Sequence, residues 1–450
     1  MRRRLFVFMA CALAAAVLAV GCAKIDPISA PPVDTGSADF TRMAVLGNTV
    51  AAGLQNGGLS ETHQVRSFVA LLARQVGKQV ISHGATTAQT GEFVIPGYGD
   101  PGSPGTVELT SLVPAVILPI TTTGAPVNLT YQAPYNNLGV PAATLGDALN
   151  TVTSSANPYF DLVLRGLGTM IQQVVPLQPT FVVVELGSND VLLAVTRDAP
   201  TTPPATFEAQ YRQLITTLTG LATHPKLAAV NIPDVTTIPY ATTVPPVVVN
   251  PATSQPVLVE GHMVPLIGPD GPLALTDLVT IGAISLMRQG VGIPVALGGA
   301  GTPLPDVVVL NGAELEVITQ RVVEYNHIIE MVAAEYGFPV VDMNGLLRDA
   351  TEDAIKVGGL DYTTKFVSGG AIGLDGIHPT DVGHALLANV TIRAINEAYG
   401  AAIPLVDLRQ MAGVSAGNGA KPAVVGWGAL SDAAIEALQG SPVFGSVIAP

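Results

Sequence analysis

A nearly unbroken apolar run, Phe181-Val182-Val183-Val184-Glu185-Leu186, closes on the polar Gly187-Ser188-Asn189-Asp190 and constrains the fold more than any other stretch. It has the length and composition of a buried strand. The same rhythm recurs along the chain. Strands are predicted at Met43–Leu46, just before Asn137, at Leu227–Ile232 and at Pro339–Met343. Helical spacing is predicted over Gln64–Val76, where Val65, Phe68, Val69, Leu72 and Val76 share a face and Gly77 follows as a cap. It is predicted again over Phe207–Leu221, Leu315–Tyr336 and Asp381–Tyr399. Strand and helix in alternation imply a parallel sheet wrapped by helices.

Two stretches break the rhythm. Thr86–Tyr135 is irregular and carries the turn pairs Pro96-Gly97 and Pro101-Gly102. Thr236–Leu310 is rich in Pro, Val and Gly, and Glu260, Asp270, Asp277, Arg288 and Asp306 are its only charged residues. Within it, Thr276-Asp277 is placed to cap a short apolar helix ending at Met287. This insert (236–310) leaves the sheet where ligands bind, so it is expected to be either a cover over a site or a static flap. A cover requires Leu278, Ile281 or Leu286 to face Thr49.

The first 22 residues read as an export signal, with Arg2, Arg3 and Arg4 ahead of the apolar Leu5–Val20. Leu18-Ala19-Val20-Gly21-Cys22 resembles a lipobox, and Cys22 is expected to carry a lipid. Cys11 leaves with the signal, so no internal disulfide is expected. Residues 23–40 read as a Pro/Ser/Gly-rich tether, 41–400 as the folded domain and 401–450 as a C-terminal extension. A net charge of −14 argues against nucleic-acid binding, which needs clustered Lys and Arg. Charged residues make up only 12% of the chain, which suits a protein held at a membrane or one that binds apolar ligands.

The chemistry lies at the predicted strand ends, where ligands bind an open parallel sheet. Thr49 follows the first strand, Gly139 the second and Asn189 the third. Asp375-Gly376-Ile377-His378-Pro379 stands in the loop before the last helix. A carboxylate three residues before a histidine can orient its imidazole. A nucleophile, a base, an orienting acid and oxyanion donors are the parts of an acyl-transfer site. Thr49, His378 and Asp375, with the Gly139 backbone and the Asn189 amide, fill those roles. Two similar patterns are rejected. Gly413-Val414-Ser415-Ala416-Gly417 matches a nucleophile elbow, but no histidine lies beyond His384. Asp381-x-x-His384 falls inside a predicted helix and reads as a surface pair. His63, His83, His224, His262 and His327 show no metal-ligand spacing.

These blocks resemble the SGNH/GDSL hydrolase family. Gly47-Asn48-Thr49 stands where the family usually has Gly-Asp-Ser, Gly139 matches its second block, Gly187-Ser188-Asn189-Asp190 its third, and Asp375 to Pro379 its last. The resemblance runs from Thr41 to about Tyr399. It implies a three-layer α/β/α flavodoxin-like fold of about five parallel strands. It also implies hydrolysis of acyl or acetyl esters without metal or cofactor, with the Thr49 N–H, the Gly139 N–H and the Asn189 side chain as oxyanion donors. Threonine in place of serine brings a β-methyl that restricts χ1 and crowds the approach. Two readings follow. One is a lipid-anchored esterase or lipase-like enzyme with a Thr-His-Asp triad. The other is a weakened or inactive relative serving as a binding or structural module. The expected location is a bacterial cell envelope outside the cytoplasm, with the outer membrane favoured over the inner where there are two.

Overall fold

The computed structural model describes residues 33–86, 91–112, 115–250, 253, 255–415 and 429–444. The expected export signal, Cys22 and the tether as far as residue 32 lie outside the described residues. Five parallel strands form the central sheet: β1 (Met43–Gly47), β2 (Asn137–Gly139), β3 (Phe181–Glu185), β4 (Lys226–Val230) and β5 (Val340–Val341). Their spatial order is β2-β1-β3-β4-β5, with Gly47 opposite Gly139 on one side and Glu185 on the other. This is the flavodoxin-like order, and its switch point lies between β1 and β3. The loops after these two strands therefore diverge and leave a crevice at their carboxyl ends. β1 and β3 are buried along their whole length, as interior strands covered on both faces must be.

In chain order the helices that matter here are α1 (Thr49–Ala52), α2 (Phe68–Gln75), α3 (Leu145–Asn150), α4 (Asn189–Arg197) and α5 (Pro204–Thr219). They continue with α6 (Gly312–Tyr336), α7 (Met343–Glu352), α8 (Asp381–Tyr399) and α9 (Asp432–Gly440). α2 packs with α8, while α5 packs with α3 and α6, giving helices on both sides of the sheet. Among the described residues no helix is long and apolar enough to cross a membrane.

Several expectations change. The single helix expected over Gln64–Val76 is broken: a turn at Glu61–Gln64 ends, and Ser67 starts α2 by accepting the Ala70 N–H. A serine that can bond the backbone locally favours such a restart over continuation. The tether expected to reach residue 40 is already packed at its end: the Ser37 N–H donates to Tyr399 O, and Phe40 stacks on Phe181 at 4.2 Å. The 236–310 insert contains small hairpins such as Ile267–Gly268 with Gly271–Pro272. Its expected capped helix is instead strand Leu278–Val279, a 3₁₀ turn Ile281–Ala283 and the short helix Ile284–Arg288.

Candidate active site

β1 ends at Gly47, and Asn48 turns the chain so that Thr49 opens α1. The turn is held from below by Glu185, at the end of β3, whose Oε2 accepts the N–H groups of Asn48 (3.1 Å) and Ala51 (3.0 Å). Asn48 Nδ2 donates to Ser188 Oγ at 2.8 Å, tying the loop after β1 to the loop after β3. Thr49 is buried, and its Oγ1 accepts the Ala142 N–H at 2.9 Å. Its own N–H sits in the first helical turn, where donors have no partner within the helix.

The N–H expected as the second donor is already engaged. The Gly139 N–H donates to Asn137 Oδ1 at 2.9 Å and is spent. Glycine is needed at 139 for a different reason: a Cβ there would lie 2.7 Å from Ala52 N, so a side chain would push α1 off the sheet. The N–H that faces Thr49 belongs to Ala142, three residues further on and in the left-handed region at φ 61°. A non-glycine residue there is strained, and the loop is held from several sides. Asn189 Nδ2 donates to Ala143 O (3.0 Å), Asn157 Nδ2 donates to Pro141 O (2.8 Å), and the Leu145 N–H donates to Asp190 Oδ2 (2.8 Å). Asp190 thus caps α3, not its own helix, and burial lifts its carboxyl to about 6. A signal for Ala142 was present in the sequence. Thr144-x-x-Asp147 is a capping box that starts a helix at Leu145, so a loop donor had to come from residues 140–143.

Asp375 and His378 are both buried. Asp375 Oδ1 accepts the Ile377 and His378 N–H groups, each at 2.9 Å. Its Oδ2 accepts the Gly57 N–H at 2.8 Å and faces His378 Nδ1 at 3.0 Å. Burial works to raise the Asp375 carboxyl, but the His378 charge and the hydrogen bonds outweigh it, and its pKa lies below the ordinary value. With Nδ1–H held by Asp375, Nε2 carries the lone pair, and Nε2 has no partner among the described residues. Thr49 and His378 line one small cavity, together with Asn48, Ser188 and Asn189. No hydrogen bond joins the Thr49 hydroxyl to His378; such contacts often tighten only when substrate is bound.

A family model for GDSL-like lipase/acylhydrolase matches residues 97–391. The chain belongs to this family. The matched stretch takes in Asn189, Asp375 and His378 and begins after Thr49. Among solved structures, a lipase/acylhydrolase from Enterococcus faecalis is 14% identical, covers 81% of this chain and 98% of its own, and gives a TM-score of 0.34. A protein from Parabacteroides merdae described as a GDSL-like lipase is 12% identical, with 59% and 72% coverage and a TM-score of 0.28. The search of curated proteins returned no match.

Two segments outside the four family blocks buttress this GDSL-like site. The C-terminal extension, unplaced by sequence, returns to it. Phe444 meets the His378 ring edge-on at 6.1 Å. Ser441 Oγ donates to Gly57 O (3.1 Å), and Gly57 in turn donates to Asp375. Gly57 has φ 84°, and a Cβ there would come 2.5 Å from both Gly105 O and Leu438, so only glycine lets α9 close on this loop. The insert supports the acid loop, and its first residues also reach the site, where Ile238 lines the cavity that holds Thr49. The Tyr240 N–H donates to Gly376 O at 2.9 Å, and Ile281 packs against Gly376. None of Leu278, Ile281 and Leu286 lines the cavity that holds Thr49 and His378. The Asp381/His384 pair read as a surface feature is buried instead: Asp381 bonds His63 and Arg66, while burial holds His384 well below its usual pKa, at about 4. Of the rejected elbow, Gly413–Ser415 ends the helix Leu408–Ser415, and the rest lies outside the described residues.

Glu185 makes a testable contribution to the pH dependence of stability. Burial lifts its carboxyl to about 8, against the pull of the Asn48 and Ala51 N–H bonds. The folded protein therefore keeps a proton that the unfolded chain loses near pH 4.5, and the stability tied to that proton is lost as pH rises toward about 8. Glu185→Gln keeps an acceptor for both N–H groups and cannot ionise. Its stability should fall less than that of the wild type between pH 5 and pH 8, by roughly 3–4 kcal/mol, and its melting temperature should fall correspondingly less. Parallel melting curves for the two proteins would contradict a neutral Glu185.

Proposed function

We propose that this chain is an ester hydrolase in which Thr49 is the nucleophile, His378 the general base and Asp375 the residue that orients it. The observation that carries the reading is the shared cavity. It holds a hydroxyl in contact with a backbone donor, an imidazole nitrogen with no partner, and a buried carboxylate behind that imidazole. In the proposed reaction Thr49 Oγ1 attacks the ester carbonyl carbon while His378 Nε2 takes its proton. The Thr49 N–H and the second Asn189 Nδ2 hydrogen stabilise the oxyanion, and the Ala142 N–H, which donates to Thr49 Oγ1 before the attack, joins them once that oxygen has moved onto the carbonyl carbon. The imidazolium returns the proton to the leaving alcohol. Water then attacks the acyl-threonine, with His378 again acting as base, and Thr49 is restored.

The reading is favoured over an inactive binding module because the Asp375–His378 pair is formed and His378 Nε2 is left without a partner in the cavity that holds Thr49. The test is turnover of p-nitrophenyl acetate, octanoate and palmitate by the protein lacking its export signal. Rates no higher than those of His378→Ala would support the inactive module.

We also propose that Cys22 is lipid-modified and holds the domain at a cell-envelope membrane, outside the cytoplasm. The lipobox-like Leu18–Cys22 and the absence of any other cysteine in the processed chain support this. A Cys22→Ser protein should leave the membrane fraction; continued firm attachment would overturn the assignment.

A further inference from the structure

Between the buried Leu54 and Leu59 the chain reverses sharply. Gln55 and Gly58 exchange backbone hydrogen bonds in both directions, at 3.1 and 3.2 Å. The two residues between them, Asn56 and Gly57, have φ of 55° and 84°. Asn-Gly is the dipeptide that takes two successive left-handed positions most readily. On one side the turn is tied to the nucleophile's helix, where the Leu54 N–H donates to Thr49 O at 3.2 Å. On the other it grips the loop that carries the acid and the base, at two successive residues. Asn56 Oδ1 accepts the Leu374 N–H at 2.8 Å, and the Gly57 N–H donates to Asp375 Oδ2 at 2.8 Å. Among the described residues no other hydrogen bond joins 49–59 to 371–380. Glycine at 373 permits the close approach, because a Cβ there would lie 2.8 Å from Asn56 Oδ1. The Gly373 N–H in turn donates to His378 O at 2.8 Å, so the gripped end of the loop is bonded to the base itself.

We infer that Asn56 is a positioning residue: its amide oxygen, through Leu374 and Asp375, sets the His378 imidazole relative to Thr49. The inference rests on the proposed roles of Thr49, His378 and Asp375. Asp375 Oδ2 meets both the Gly57 N–H and His378 Nδ1, so the place of the first fixes where the second must lie. With the Asn56 bond in place the acid loop is held to the turn at two points and cannot pivot about the Gly57 N–H. Without it, the Leu374 N–H loses its acceptor, and a single bond is left between the nucleophile's turn and the acid. A base displaced by a fraction of an ångström then serves the transition state poorly while leaving substrate binding alone.

The test compares Asn56→Gly, which keeps the left-handed turn but deletes the acceptor, with Asn56→Asp, which keeps both. Gly373→Ala reaches the same bond from the other side, because its methyl displaces the Asn56 amide. All are measured in the protein lacking its export signal. With p-nitrophenyl acetate, Asn56→Gly and Gly373→Ala should each lower kcat roughly tenfold or more and leave KM within about twofold. Asn56→Asp should recover most of the loss. A second readout needs no turnover. The Nδ1 proton of His378, identified in proton NMR spectra by its loss in His378→Ala, should exchange with water at least about tenfold faster in Asn56→Gly than in the wild type or Asn56→Asp. A lowered melting temperature with kcat and proton exchange unchanged would make Asn56 a structural turn residue, overturning the inference while leaving ester hydrolysis standing. If no ester is turned over, proton exchange decides alone. Faster exchange in Asn56→Gly or Gly373→Ala upholds the positioning role without the enzyme, and exchange equal to that of the wild type in both overturns it.

Discussion

Replacing His378 by alanine is expected to lower kcat/KM for p-nitrophenyl esters by roughly 10³-fold or more. A threonine hydroxyl is a weak nucleophile unless a base takes its proton. In the cavity around Thr49 the other side chains are amides, the Ser188 hydroxyl and apolar groups, none of which can serve as that base at neutral pH. Among the described residues of that cavity, His378 Nε2 and the Asn48 amide oxygen have no partner, and of the two only the imidazole can take a proton. The loss should fall mainly on kcat, because the imidazole acts in the transition state. A variant that melts like the wild type yet turns over esters at a similar rate would remove His378 from the mechanism. Thr49→Ser, which deletes only the β-methyl, is expected to keep or raise the rate.

Phe444→Ala, far along the sequence from every family block, is expected to cost both stability and rate. Phe444 is 1% exposed and packs on Tyr240 as well as His378. Emptying a buried aromatic site costs about 3–5 kcal/mol. The His378 ring then loses the surface that fixes its plane, and a mispositioned catalytic group can cost about 100-fold. A chain ending at Gly440 should be worse. It also loses the Ser441 bond to Gly57 and the Pro442 carbonyl that accepts from Arg197. Phe444→Leu, which refills part of the space, should recover much of the stability and less of the rate. If the shortened chain melts and turns over esters as the full chain does, the extension is ornament.

The strands nearest the chemistry were legible because each is a short apolar run closed by polar residues. β3 differs from its predicted span by one residue, and α8 runs over Asp381–Tyr399 as its spacing predicts. The meeting of Thr49 and Asn189 followed from placing them at strand ends of a parallel sheet, and that of His378 and Asp375 from the loop that leads into α8. Gly139 failed as a donor because sequence shows that a glycine permits a turn but not which N–H is spent; the Asn137 carboxamide had already taken it. The insert's hairpins escaped notice because their strands are two residues long, too short for any period to register. The return of the C-terminal extension was invisible for another reason. Phe444 and His378 are brought together by packing alone, and no local pattern marks a contact between residues so far apart in the chain.

The central claim is that Thr49 is a working nucleophile, and covalent labelling tests it most directly. The protein lacking its export signal would be treated with a fluorophosphonate and its peptides sequenced by mass spectrometry. The account expects a single phosphonate adduct on Thr49, absent in Thr49→Ala and strongly reduced in His378→Ala. Ester turnover that persists in Thr49→Ala, or a wild-type protein that hydrolyses esters while Thr49 stays unlabelled and another residue carries the adduct, would contradict it.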